Sequence, residues 1–130
     1  MGGEAMKNIM IIDDEERIRE LQSNIIRSVG WKVVGVTNAQ EATQILLKKP
    51  IDLVLLDINM PEVDGKQMFE IIEEYNPHIK VIVSSVYSVD KQKNIIPHAT
   101  DYYDKSQGPF VLLTKIRHAL LENDEVYQEV

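Results

Sequence analysis

The sequence predicts an α/β fold in which a parallel five-stranded sheet is wrapped on both faces by helices. Three observations carry this expectation. Ile9-Met10-Ile11-Ile12, Leu53-Val54-Leu55-Leu56 and Val81-Ile82-Val83 are apolar without alternation, as strands buried on both faces must be. Between such runs lie segments whose apolar residues recur at helical spacing. Strand-like and helix-like segments alternate five times, and that alternation belongs to doubly wound sheets.

In order, Lys7 to Ile12 reads as a first strand and ends in Asp13-Asp14-Glu15-Glu16. Ile18, Leu21, Ile25, Ile26 and Val29 then trace one helical stripe, with Gly30 a suitable stop. Trp31 to Val36 is a β-branched strand. Asn38 can cap a helix carrying Ala42, Ile45, Leu46 and Leu47 as far as Pro50. Leu53 to Leu56 is the central strand, and Pro61 turns the chain away after it. Asp64 with Gln67 resembles a capping box for a helix through Met68, Phe69, Ile71, Ile72 and Tyr75, closed by Pro77. Ile79 to Ser84 is a fourth strand. A short helical piece stops near Ile96, because Pro97 cannot continue it. A brief strand surrounds Tyr102 and Tyr103. Pro109 opens a last helix bearing Phe110, Leu113, Ile116 and Leu120. Right-handed crossovers leave few topologies, and the flavodoxin-like strand order 2-1-3-4-5 is expected.

Composition narrows the function classes. A chain of 130 residues is of single-domain size. Its net charge of −7 argues against general nucleic-acid binding, which needs a basic face. With no cysteine there is no disulfide framework, thiolate metal site or cysteine nucleophile. No apolar run approaches a bilayer span and the first residues hold no signal region, so a cytoplasmic protein without membrane contact is expected. Residues 1–6 read as a disordered or cloning-derived lead, 7–122 as the folded domain, and 123–130 as a solvated tail or the start of a linker.

In such a sheet all strands present their carboxyl ends at one edge, where open α/β folds bind ligands. Asp13, Asp14, Asp57, Asn59, Ser84, Ser85 and Lys105 gather there. Asp52 starts the central strand, roughly 16 Å from Asp57 at the rise of an extended chain, and belongs to the opposite pole. Asp13 with Glu16 also fits a helix cap, a role that can coexist with ligand binding. Carboxylates 4 Å apart repel by about 4 kcal/mol per pair at an effective dielectric of 20, so the cluster wants a proton or a cation. An all-oxygen donor set with few protein ligands suits Mg²⁺. A magnesium ion, an ammonium and a hydroxyl can together hold a transferring phosphoryl group, leaving Asp57, at the end of the central strand, as the nucleophile. Ser84 and Ser85 face opposite ways along their strand, so only one reaches the pocket.

The ordered set Asp13-Asp14, Leu-Leu-Asp-Ile-Asn-Met-Pro-Glu-Val-Asp-Gly (55–65), Val-Ile-Val-Ser-Ser (81–85) and Asp-Tyr-Tyr-Asp-Lys (101–105) resembles the receiver domain of two-component response regulators. The resemblance covers nearly all of residues 7 to 121. It implies that Asp57 accepts a phosphoryl group from a histidine kinase or phosphotransfer protein. It implies that Asp14 ligates Mg²⁺ directly, Asp13 through water, and Asn59 through its backbone carbonyl. Ser85 and Lys105 would contact the phosphoryl group, Tyr102 would be the switch aromatic, and Asn59 and Tyr87 would tune hydrolysis. Output would run through an absent output domain or a homodimer, on the face of the fourth helix, fifth strand and fifth helix. Phosphorylation would be self-catalysed, so no enzyme in the usual sense is expected.

The chain departs from that pattern in two places. Ser106 follows Lys105 where the family has a cis proline, and a non-proline cis bond costs roughly 2.5–4 kcal/mol, so the lysine loop is expected to be trans and rerouted, or strained. The fourth helix is expected to be shortened. The competing reading is a receiver-like interaction module that no longer accepts phosphate. A haloacid dehalogenase-type phosphatase needs a general acid two residues after its nucleophile, and Asn59 cannot supply a proton. A flavin phosphate would meet the anionic Asp13–Glu16 run.

Overall fold

The structure is a computed structural model that describes residues 6–60 and 63–128, with side-chain surroundings for all of these except 60, 63–64 and 122–128. Five strands, numbered in chain order, form one parallel sheet: β1 (Asn8–Ile12), β2 (Lys32–Val36), β3 (Leu53–Leu56), β4 (Lys80–Ser85) and β5 (Asp101–Asp104). Their order is 2-1-3-4-5, and all four pairings are parallel. The helices are α1 (Glu16–Arg27), α2 (Ala39–Lys48), α3 (Gly65–Tyr75), α4 (Val89–Ile95) and α5 (Pro109–Gln128). A two-residue antiparallel pair, Asn59–Met60 with Val63–Asp64, stands apart from the sheet.

Strand alternation divides the core into two layers. Met10, Ile12, Val54, Leu56, Val81, Val83 and Tyr102 pack with Ala42, Leu46, Met68, Phe69 and Ile72 of α2 and α3 and with Ile96 just past α4. Ile9, Ile11, Leu53, Leu55, Ile82 and Tyr103 point the other way, onto Ile26 of α1 and Leu112, Ile116 and Ala119 of α5. Every residue of β3 is buried, which is why its sequence shows no alternation.

Four of the helices depart from the expected stripes. In α1 the buried residues are Gln22, Ser23 and Ile26, whereas Leu21 is 57% exposed and Val29 lies past the helix end, exposed. In α5 Leu112 and Ala119 join Ile116 in the core, and Phe110 is 80% exposed. Leu47 of α2 and Ile71 and Tyr75 of α3 are also exposed, although the Tyr75 hydroxyl donates to the Leu46 carbonyl at 2.8 Å. Apolar residues in these helices occupy more than one stripe, and the layer each helix packs against selects which stripe is buried. Residues 123–128, expected as a tail, continue α5; they contain neither glycine nor proline to stop it.

Asn38 caps α2, accepting from the Glu41 amide at 2.8 Å. α4 has seven residues and gives way at Ile96, as Pro97 requires. Of the expected lead at 1–6, residues 1–5 fall outside the described residues and Met6 is exposed; the Pro61 turn and the Asp64 side of the capping box also fall outside the described residues and side chains. At the base of the sheet the Asp52 carboxylate accepts the Asn8 amide at 2.8 Å, a structural role at the pole away from Asp57.

The start of α3 presses on the loop after β3. A Cβ built on Gly65 would lie 2.7 Å from Cα and Cβ of Ile58, closer than carbon atoms approach. Gly65→Ala must push helix and loop apart, and it is expected to cost about 1–3 kcal/mol. Urea denaturation of the variant measures this; unchanged stability would contradict the packing.

Candidate functional site

Two aspartates are pinned by extensions of the sheet ladder. The Asp13 amide donates to the Val36 carbonyl at 3.1 Å, and the Asp57 amide donates to Ile12 at 3.0 Å. Each side chain then folds back on its own loop. Asp13 Oδ1 accepts the Glu15 amide and Asp57 Oδ1 accepts the Asn59 amide, both at 2.9 Å. Asp13 therefore organises the approach to α1 without forming the expected capping box. Glu15 occupies the N-cap position, and its side chain makes no capping bond.

The second oxygens converge on one cation. Lys105 Nζ lies 2.8 Å from Asp13 Oδ2 and 3.5 Å from Asp57 Oδ2. All three side chains are nearly sealed, at 9%, 2% and 5% exposed for Lys105, Asp13 and Asp57. Asp14 is exposed, yet one oxygen from each of Asp13, Asp14 and Asp57 can be chosen so that all lie within 4.8 Å of one another. Asp14, Glu15, Asp57, Asn59, Val86 and Lys105 line a cleft of about 200 Å³ at this point. Three carboxylates against one ammonium leave a net charge of −2.

The lysine arrives by a local device in place of a proline. No peptide bond among the described residues is cis, so Lys105–Ser106 is trans. Lys105–Gln107 forms one 3₁₀ turn closed by a reciprocal capping box. Asp104 Oδ1 accepts the Ser106 amide at 2.9 Å, and Gln107 Oε1 accepts the Asp104 amide at 3.1 Å. The Ser106 amide and hydroxyl hold the Asp104 carboxyl below its ordinary pKa. The sequence signal was present as Asp-x-x-Gln at 104–107. Glu15, whose amide fixes Asp13, was likewise legible only as one more acid in a run.

Burial pushes the Asp57 carboxyl up to about 6, with the Asp13 charge adding to it, against the Asn59 amide and Lys105, which lower it. For Lys105 burial acts to lower the pKa, but the bond to Asp13 and the Asp57 charge outweigh it and hold the ammonium above its usual value.

Ser84 and Ser85 point to opposite faces. Ser84 Oγ accepts from Gln22 Nε2 of α1 at 3.3 Å. Ser85, fully buried, turns its Oγ to accept the Tyr87 amide at 3.1 Å and does not border the cleft. Tyr87 is half-buried beneath the Lys91 ammonium, 4.0 Å from its ring centre. Tyr102 is 5% exposed; its hydroxyl donates to the Ile96 carbonyl and accepts the Ala99 amide. The structure thus joins Asp13, Asp14, Asp57, Asn59 and Lys105 around one cleft, and leaves Ser85, Tyr87 and Tyr102 behind it on the β4–α4 and β5 side.

A doubly wound sheet with an acidic cluster and a lysine at its carboxyl edge invites comparison with known proteins. Residues 9–117 match the response regulator receiver domain, and the chain belongs to that family. It is 31% identical to the response regulator protein FleR of Pseudomonas aeruginosa over 115 residues, which are 86% of this chain and 24% of FleR. It therefore spans about a quarter of that relative's length. A CheY-like receiver domain protein from Methanospirillum hungatei superposes with a TM-score of 0.85 at 26% identity, covering 93% of this chain and 98% of that one. The response regulator TrrA of Thermotoga maritima, solved with Mg²⁺ and beryllofluoride, matches at 30% identity and TM-score 0.81, covering 88% of this chain and all of TrrA. TrrA has also been solved in complex with the histidine kinase ThkA. Among the described residues no helix is long and apolar enough to cross a membrane.

In metal-free buffer the buried charge of Asp57 lowers stability. Asp57 binds its proton more tightly folded (about 6) than at its ordinary value of 3.8, so its penalty is absent below about pH 4 and complete above about pH 6. Asp57→Asn is expected to be more stable than wild type by about 1–3 kcal/mol at pH 7 in EDTA, the gap closing toward pH 4. Urea titrations at both pH values measure it, and equal stabilities at pH 7 would refute it.

Proposed function

We propose that this domain accepts a phosphoryl group on Asp57 from a phosphohistidine of a histidine kinase or phosphotransfer protein, with Mg²⁺ in the acidic cleft, and so switches a partner-binding surface. The observation that carries the proposal is the convergence of Asp13, Asp14 and Asp57 within 4.8 Å, with Lys105 bridging two of them. The donor set fits the metal: it is all oxygen, it is anionic in excess of its one lysine, and two of its carboxylates are buried and cannot be neutralised by bulk water. Asp13, Asp14, Asp57 and the Asn59 carbonyl would hold the ion. Bound there, Mg²⁺ supplies positive charge to the oxygens of the transferring group.

The chain's own residues account for the rest. Asp57 Oδ1 is occupied by the Asn59 amide, so Oδ2 is the oxygen that attacks phosphorus as the donor's nitrogen–phosphorus bond breaks. Lys105, now 3.5 Å from that oxygen, is placed to pair with a phosphoryl oxygen. Ser85 would leave the Tyr87 amide and turn its hydroxyl onto the phosphoryl group, drawing the β4–α4 loop inward. Tyr102 already lies inside, tied to Ile96 and Ala99, so the movement would be read on the α4–β5–α5 face, by an output domain or a second copy. Val86, 62% exposed, lines the cleft and offers a donor protein an apolar contact beside it. Asn59, which lines the cleft, and Tyr87 would tune the lifetime of the aspartyl phosphate.

Incubation with acetyl phosphate and Mg²⁺ is expected to add one phosphoryl group, about 80 Da, at Asp57. EDTA or Asp57→Asn should abolish the gain, and Lys105→Met should slow it by about a hundredfold, the usual cost of removing one charge from such a site. Intact and peptide mass spectrometry reads all three. A label on another residue, or uptake unaffected by EDTA, would overturn the proposal.

A further inference from the structure

α4 has seven residues, yet its one buried residue is polar: Gln92 is 0% exposed. Its Nε2 donates to two backbone carbonyls, Tyr87 at 2.8 Å and Tyr103 at 3.0 Å. Two carbonyl acceptors fix which end of the amide is nitrogen. The other end, Oε1, is buried with no hydrogen-bond partner. A buried acceptor left unmet is costly, although the nitrogen of the same side chain meets the Tyr87 and Tyr103 carbonyls, which an apolar residue would leave open. The unmet oxygen is explained if it is used in a second arrangement.

The neighbouring bonds show which one. Gln92 already holds the Tyr87 carbonyl, while the amide of that same residue is held by Ser85 Oγ at 3.1 Å. If Ser85 turns to a phosphoryl group, the Tyr87 amide loses its acceptor in a part-buried setting. Both polar groups belong to Tyr87, and a carboxamide carries a donor for its carbonyl and an acceptor for its amide.

We infer that Gln92 is a positioning residue for the switch, which takes the Tyr87 amide onto Oε1 when Ser85 releases it and so holds the β4–α4 loop in its shifted place. This rests on the phosphoacceptor reading given above. The same amide group grips Tyr103 in β5, next to Tyr102, so the relocated loop stays tied to the strand that borders α4. Atom for atom the exchange is conservative. One amide hydrogen changes acceptor from a hydroxyl to a carboxamide oxygen, and a buried unmet oxygen gains its bond.

The test is NMR on the isotope-labelled 130-residue chain, with and without Mg²⁺ and beryllofluoride. A scalar coupling across the hydrogen bond from Tyr87 ¹⁵N to Gln92 ¹³Cδ is expected in the beryllofluoride state only. In Gln92→Met, which keeps the volume but neither polar atom, Asp57 should still be labelled by acetyl phosphate. The Tyr87 amide should exchange about tenfold faster than wild type in the beryllofluoride state, one hydrogen bond's worth, and at the wild-type rate relative to its neighbours in the resting state. Absence of the coupling in wild type whose Asp57 accepts a phosphoryl group overturns the role of Gln92 alone and needs no variant. If wild type neither takes up phosphoryl nor responds to beryllofluoride at Asp57 and Ser85, the phosphoacceptor reading falls, and this inference with it.

Discussion

The contact on which the site depends is the ammonium of Lys105 lodged between Asp13 and Asp57. Two carboxylates that are nearly sealed from water, carried on adjacent strands, would repel strongly without it. One lysine cannot neutralise three acids, so the cleft remains anionic. It is held in that state because its members are fixed by backbone bonds they do not control: Asp13 through Val36, Asp57 through Ile12. The sheet forces the charges together, and the charges in turn create a place for a cation.

That constraint explains several local choices. Each carboxylate commits one oxygen to an amide two residues along its own loop, which leaves the other directed at Lys105. Gly65 lets α3 begin directly against Ile58, so the loop after Asp57 is short and confined. The 3₁₀ turn at 105–107 brings the lysine in without a proline, using Asp104 and Gln107 as reciprocal caps. The Lys105–Ser106 bond is trans, and the turn is held by hydrogen bonds. Lys105 nevertheless reaches both acids.

The β4–α4 and β5 side is built differently. The acidic cleft is held by charge, whereas this side is held by hydrogen bonds: the Tyr87 amide to Ser85, Gln92 to the Tyr87 and Tyr103 carbonyls, and the Tyr102 hydroxyl with Ile96 and Ala99. On the proposed function, trading one of these bonds for another would give changes at the cleft a structural route to α4. The short α4, ended by Pro97, lowers what such a rearrangement has to move.

Strand identity, strand order, the edge where the acids meet and the stop of α4 at Ile96 were all legible in the residue order. The reason is physical: buried parallel strands need uninterrupted apolar runs, and proline ends helices whatever surrounds them. Asp13, Asp14, Asp57 and Lys105 could be nominated because strand ends share an edge. Which stripe of α1 and α5 is buried was not legible, since Leu21 and Phe110 look as apolar as Ile26 and Ile116. Nor was the lysine's bridging position, the inward engagement of Tyr102 or the double grip of Gln92. Those depend on contacts between distant segments, Lys105 and Asp13 being 92 residues apart, and only the assembled sheet decides which of several chemically able partners comes within a hydrogen bond's length.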